Sequence, residues 1–120
     1  NKNIECIKKG KDKEKRVKYT NFNHPVAKKK NEEKKSMGII ICGSGNGAAM
    51  TANKYKEVRA SICWNKKITK LARQHNNSNI LSIPSRFISM KEAIEIVEIF
   101  LKTKFEGGRH LNRIKKIPCK

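Results

Sequence analysis

The chain has 120 residues, room for one domain with a modest core, and no apolar run approaches the roughly 20 residues that a membrane-spanning helix needs. Its formal charge of +19 raises nucleic-acid binding, yet 23 of the 29 basic residues are Lys, in company with 12 Asn and 15 Ile, a composition that adenine- and thymine-rich codons impose without any partner. The basic stretches also lack interleaved aromatic residues on which bases could stack, so neither nucleic acid nor a membrane is expected as a partner.

In chain order, Ile4 to Ile7 reads as a short strand, followed by a charged connector that turns at Gly10. The stretch NFNHPVAKKKNEEKK reads as a helix capped by Asn21, with Pro25 in the first turn, where a missing N–H costs little. MGIIIC, ending at Cys42, is a continuously apolar, β-branched run of the kind that forms a parallel strand covered on both faces. Next come a short helix of small residues (NGAAMTANK), a second buried strand (VRASIC) and a helix (KKITKLARQHN) with Ile68, Leu71 and Ala72 on one face. NILSI is the last strand, stopped by Pro84. A long helix starts at Ser89, where SMKE is a capping-box pattern, and its apolar positions Ala93, Ile94, Val97, Phe100 and Leu101 fall at helical spacing. A basic helix follows the Gly107-Gly108 break. Alternating strands and helices predict an α/β domain with a mainly parallel sheet and a ligand site beyond the carboxyl ends of its strands, where Cys42 sits.

The four cysteines form no Cys-x-x-Cys pair and the three histidines no His-x-x-x-His pair, so neither a disulfide framework nor a metal site is expected, and a reducing cytosol is. Nothing near Asn1 has the basic-then-apolar pattern of a secretory signal. Cys6, Cys63 and Cys119 are read as small core residues. Gly43, Gly45 and Gly47 give G-x-G-x-G rather than the dinucleotide spacing, the next strand ends without an acidic residue to hold a ribose, and no Gly-Lys-Ser/Thr follows. The same turn suits another purpose. Successive N–H groups at a helix start stabilise a localised negative charge, and losing one such donor costs an enzyme about 3 to 4 kcal/mol. Ser44 adds a hydroxyl. A thiol beside that field is expected to ionise below its usual value of roughly 8.5.

Four blocks, GIIICGSGNGAAMTANK, VRASICWN, KLARQHNNSNILSIPSRFIS and FLKTKFEGGRHLNRI, resemble in order and spacing the type B ribose-5-phosphate isomerases and their galactose-6-phosphate isomerase relatives, across nearly the whole chain from Ile4. The resemblance implies a Rossmann-like three-layer α/β/α fold over residues 1–120. It implies a cytoplasmic homodimer or homotetramer with active sites between subunits and residues 106–120 packing on the partner. It implies a reaction of the pentose phosphate pathway, with no cofactor or metal, in which ribose 5-phosphate and ribulose 5-phosphate interconvert through an enediolate. By the same resemblance Cys42 is the base, and Gly43, Ser44, Gly45, Asn46, Gly47 and Ala48 hold the enediolate oxygen. His75 assists ring opening, Asn76 bonds the sugar, Tyr19 lines the cleft, and Arg86, Arg109 and Arg113 grip the phosphate. The family's opening strand, its Ser-Asp-His-Ala-Gly type turn and its first helix have no counterpart here, so an N-terminally incomplete isomerase is expected. A galactose-6-phosphate isomerase subunit, or an inactive remnant that only binds sugar phosphate, is the alternative.

Overall fold

The computed structural model describes residues 25–28 and 36–118. The expected strand at Ile4–Ile7, its connector, the Asn21 cap, Tyr19, Cys6, His24 and Cys119 lie outside them. Within them three strands form one parallel sheet in the order β1-β3-β2: β1 is Gly38–Cys42, β2 is Ala60–Ile62 and β3 is Ile80–Pro84. The central strand β3 is buried at every residue, as expected of an apolar run interrupted only by Ser82. Pro84 is its last residue rather than the one beyond it, lying opposite Cys42.

β2 is shorter than the expected strand because side chains substitute for a neighbouring strand. Asn79 Oδ1 accepts from the Arg59 N–H at 2.8 Å, Asn53 Oδ1 accepts from the Ala60 N–H at 2.7 Å, and Asn53 Nδ2 donates to the Ala60 carbonyl at 3.1 Å. Asn53 thus blunts the sheet at that edge. At the other edge β1 has no partner besides β3 among the described residues, and Ile41 is 68% exposed. The expectation of a strand covered on both faces therefore fails at Ile41.

Helices lie on both faces. On one, α1 (Asn46–Ala52) and the helical residues 25–28 bring Ala48, Ala52 and Ala27 against Ile40, Val58 and Ile80; the alanines let the helix approach the sheet closely. On the other, α2 (Lys66–Gln74) and α3 (Met90–Lys102) enclose Cys63, Ala72, Leu81, Ile83, Ile96 and Phe100. Burial of each large side chain in this cluster stabilises the fold by about 1.5 to 3 kcal/mol. The result is the three-layer α/β/α architecture. The expected stripe of α3 needs one correction: Ile94 is 53% exposed and Ile96, 1% exposed, takes the core position. The contacting row is Ala93, Ile96, Val97 and Phe100, the i, i+3, i+4, i+7 pattern, and Ile94 stands one helical step off it. On α2, Ala72 is buried as expected, Ile68 and Leu71 are half-buried, and Thr69 and Arg73 are buried beside them.

The capping box at Ser89 forms in both directions, Glu92 N–H to Ser89 Oγ at 3.1 Å and Ser89 N–H to Glu92 Oε1 at 3.0 Å. After Gly107 and Gly108 the chain ends in α4 (Arg109–Lys115), which buries His110 and Ile114.

Candidate active site

The carboxyl edge of the sheet is organised around Cys42, half-buried and not in a disulfide. Its carbonyl accepts from Ser85 N–H at 2.8 Å and Ser85 Oγ at 3.0 Å, and the Gly43 carbonyl accepts from Arg86 N–H at 3.1 Å. These bonds stitch the turn after β3 onto the turn after β1 and lay the Arg86 side chain against Gly43. A Cβ at Gly43 would stand 3.4 Å from Arg86 Nε and 3.6 Å from Cζ. The guanidinium of one turn is thereby held against Gly43, the residue that follows Cys42, on the other.

Gly45 is where the turn becomes helix. Its φ is +83°, and a Cβ there would stand 3.0 Å from Ser82 Oγ, so a side chain would meet both a disfavoured backbone and a crowded neighbour. Ser82, buried at the middle of β3, donates its hydroxyl to the Gly45 carbonyl at 2.8 Å. That bond explains a polar residue in an apolar strand. Ser44 Oγ accepts from the Asn46 N–H at 3.3 Å and from Asn46 Nδ2 at 3.2 Å, which leaves its own proton to donate outward. Gly47 and Ala48 occupy the first turn of α1, where N–H groups have no intrahelical acceptor. Ala48 is fully buried, so only its N–H can serve the site. A cleft of about 690 Å³ opens beside this turn, with Ser44, Asn46, Trp64, Pro84 and Phe87 in its walls. Trp64 and Phe87 are both exposed, and no spacing in the chain marks either one. A smaller depression of about 330 Å³ holds the exposed Lys66–Glu95 pair and none of the glycine turn.

A second group of residues gathers at the opposite edge. α2 ends in His75, followed by exposed Asn76 and by Asn77 at φ 48°. Two arginines hold this turn. Arg73, 6% exposed, donates Nη1 to the Ser78 carbonyl at 2.6 Å and to Asn77 Oδ1 at 2.9 Å, and Nε to the Thr103 carbonyl at 3.0 Å, while Arg59 Nε donates to the Asn77 carbonyl at 2.9 Å. Burial first, then the like charge of Arg59, lowers the Arg73 pKa from the usual guanidinium value, which still leaves it charged. Its plane also lies over Phe100, 5.8 Å from the ring centre. The segment after α3 crosses here, with Glu106 N–H on the Gln74 carbonyl at 3.0 Å. It delivers α4, whose His110 stacks on His75 with ring centres 4.2 Å apart and planes 11° apart. Glu106 Oε1 lies 3.8 Å from Nε2 of each ring. Burial, then His75 and Arg109, with Arg113 adding a little, hold His110 below the ordinary imidazole value, and Glu106 opposes them.

The expected site residues therefore fall into two groups. Cys42 to Ala48 and Arg86 occupy the carboxyl edge; His75, Asn76, Arg109 and Arg113 occupy the other. The register pairs Cys42 with Pro84 and Gly38 with Ile80, so four residue steps of sheet, roughly 13 Å, separate the two edges. One protomer does not bring Cys42 and His75 together. Tyr19 lies outside the described residues. Glu106 and Arg73 carried no sequence signal, and His110 stood only as an isolated histidine, because no local spacing links residues 35 positions apart. Cys63 is the core residue expected: burial pushes its thiol up to about 11, against a hydrogen bond from Thr69.

A family model described as Ribose/Galactose Isomerase matches residues 1–117. Among curated relatives, the chain is 50% identical over 100 residues to a probable ribose-5-phosphate isomerase B of Mycoplasma genitalium, covering 82% of this chain and 66% of that protein. It is 36% identical over 114 residues to ribose-5-phosphate isomerase B of Escherichia coli, covering 95% and 76%. Among solved structures, the M. genitalium ribose-5-phosphate isomerase B with bound ribulose-5-phosphate superposes with a TM-score of 0.87 at 44% identity, over 90% of this chain and 72% of that one. The Thermotoga maritima enzyme gives 0.86 at 41% identity, over 90% and 74%. The chain thus spans just under two thirds of the length of the Mycoplasma relatives, 66% and 65%.

Proposed function

The chain belongs to the ribose/galactose isomerase family, and from that premise we propose that it interconverts ribose 5-phosphate and ribulose 5-phosphate, with Cys42 as the base. The observation that carries the reading is the carboxyl-edge turn, in which the half-buried Cys42 is followed directly by a helix-start set of N–H groups, with Arg86 laid against Gly43 and with Ser44 and Asn46 lining an open cleft. The Cys42 thiolate takes the proton from C2 of the open-chain aldose. The C2–H electron pair forms a C1=C2 double bond, and the C1 carbonyl oxygen becomes an enediolate oxygen facing the Gly43–Ala48 turn. The proton of the C2 hydroxyl passes to that oxygen as the C2 carbonyl forms, and Cys42 returns its proton to C1 to give the ketose. Proton gain and loss balance within the sugar, so the step calls for no external oxidant or reductant. Preorganised N–H donors lower the barrier because they act where charge develops.

The other half of the site comes from a second copy. His75 opens the furanose ring, Asn76 bonds the sugar, and Arg109 and Arg113 hold the phosphate, for which a planar guanidinium fork is suited. Their gathering at the edge remote from Cys42 supports a dimer with two composite sites, in which residues 106–120 lie against the partner. No helix among the described residues is long and apolar enough to cross a membrane, in keeping with a cytosolic place in the pentose phosphate pathway.

The test is direct conversion of ribose 5-phosphate to ribulose 5-phosphate by the full chain and by Cys42→Ser. Loss of the base should lower kcat by about 10² to 10⁴. An unchanged rate removes Cys42 from the reaction, and no conversion by the unaltered chain overturns the reading.

A further inference from the structure

We propose that His75, Glu106 and His110 form a site for one borderline transition-metal dication, Zn²⁺ or a close congener, and that its occupancy switches off the isomerase by taking the lone pair of His75. The inhibitory half rests on the role of His75 proposed above; the binding half rests on geometry alone. One donor atom from each residue lies within 4.8 Å of the other two, and both imidazole Nε2 atoms are 3.8 Å from the same carboxylate oxygen. Tetrahedral donors at about 2.1 Å from a zinc ion stand about 3.4 Å apart, so each imidazole must close a few tenths of an ångström on the carboxylate. The donor set, spread over as much as 4.8 Å, must contract by up to about 1.4 Å, with the His75 ring turning out of its face-to-face stack to aim its lone pair at the ion. The stacked rings present Nε2 on a common side. His110 is fixed by burial, whereas the His75 and Glu106 side chains, 40% and 51% exposed, are free to close on an ion. Two imidazoles and one carboxylate suit zinc, nickel or copper rather than magnesium or calcium, and they leave a fourth position for water. Arg109 and Arg113 are exposed but close enough to act on His110 through their charge, so they oppose a dication and weaken the site.

Calorimetric titration with Zn²⁺ of the full chain, His110→Ala and Glu106→Gln tests the site, because thiol-borne zinc is common to all three and subtracts out. One equivalent should weaken by about tenfold or more in each variant, at least the scale on which even outer partners of a metal act. Glu106→Gln replaces an exposed carboxylate and keeps the test valid if His110→Ala does not fold. Equal stoichiometry and affinity in the original chain and Glu106→Gln overturn the site. In parallel, Zn²⁺ should inhibit ribose 5-phosphate conversion with a midpoint at the calorimetric Kd, reversed by a chelator and shifted by the same factor in Glu106→Gln. Zinc bound at this site without inhibition overturns the inhibitory half. If the chain converts no sugar phosphate, the isomerase reading fails while the calorimetry still decides the site.

Discussion

Mixing two inactive variants gives the sharpest check on the divided site. Cys42→Ser damages the carboxyl edge of each protomer and His75→Asn damages the other, and roughly 13 Å of sheet separates the two positions. In a two-fold dimer each site draws one edge from each protomer. A mixed dimer then has one site carrying both lesions and one carrying neither. Random exchange of equal amounts makes about half the dimers mixed, each with one intact site of two, so activity should recover to about a quarter of the original. Against a background lowered about 10²-fold or more in each parent, that recovery is easily read. The variants are purified separately, combined, exchanged through mild denaturant, and assayed for ribulose 5-phosphate, with native mass spectrometry confirming mixed dimers. Activity that stays at background when mixed dimers are demonstrated refutes the composite site, since a site built within one protomer cannot be repaired by its neighbour.

Other outcomes follow from the packing. Arg73→Met should cost about 2 to 4 kcal/mol: it orphans the Ser78 and Thr103 carbonyls, at about 1 to 3 kcal/mol each, less the relief of no longer burying a charge. A loss below about 1 kcal/mol in urea unfolding would mean that water replaces the guanidinium. Gly45→Ala should destabilise by at least about 1 kcal/mol, because φ is +83° and the new Cβ would press on Ser82 Oγ; thermal unfolding unchanged from the original chain would contradict this. Its bonds to Ser89 hold the Glu92 carboxyl below the usual carboxylate range. The stabilisation is therefore present above its unfolded value, near pH 4.3, and is lost as pH falls through the lowered folded value. The Tm gap between the original chain and Glu92→Gln should exist at neutral pH and narrow as pH falls below the unfolded value; a gap constant with pH is the contrary result. Peptide mapping after brief iodoacetamide treatment should find Cys63 unmodified until the protein unfolds, its thiol being buried and raised to about 11.

The parts of the fold legible in the chain are those encoded by local repetition. NILSI declares a buried strand because a strand enclosed by helices has no solvent face to encode. GIIIC declares a strand but not the exposure of Ile41 at the sheet edge, and SMKE declares a helix start because both partners of the cap lie within four residues. β2 misleads because Asn53 and Asn79 complete its pairing with side-chain amides, which no apolar pattern reveals. Ile94 and Ile96 are equally apolar, and only the seating of α3 on β3 chooses between them. The glycine turn could be read for the same local reason as the caps. The pairing of His75 with His110 could not, since a crossing segment anchored by Arg73 and the Gln74 carbonyl brings them together. Which edge each site residue occupies follows from strand direction, and the division becomes visible only once the register is known.

The arginines carry a consequence for how this sequence drifts. One base change turns an AGA arginine codon into an AAA lysine codon, and 23 of the 29 basic residues are Lys. Among the arginines of the described residues, Arg73 stands where an ammonium group would fail. Arg73 joins the Ser78 and Thr103 carbonyls through two nitrogens of one fork, Arg59 donates Nε to the Asn77 carbonyl, Arg86 lies against Gly43, and Arg109 and Arg113 act on His110 by charge. A lysine at Arg73 would keep the charge and lose the fork, so this is a position at which shape, and not charge alone, is required.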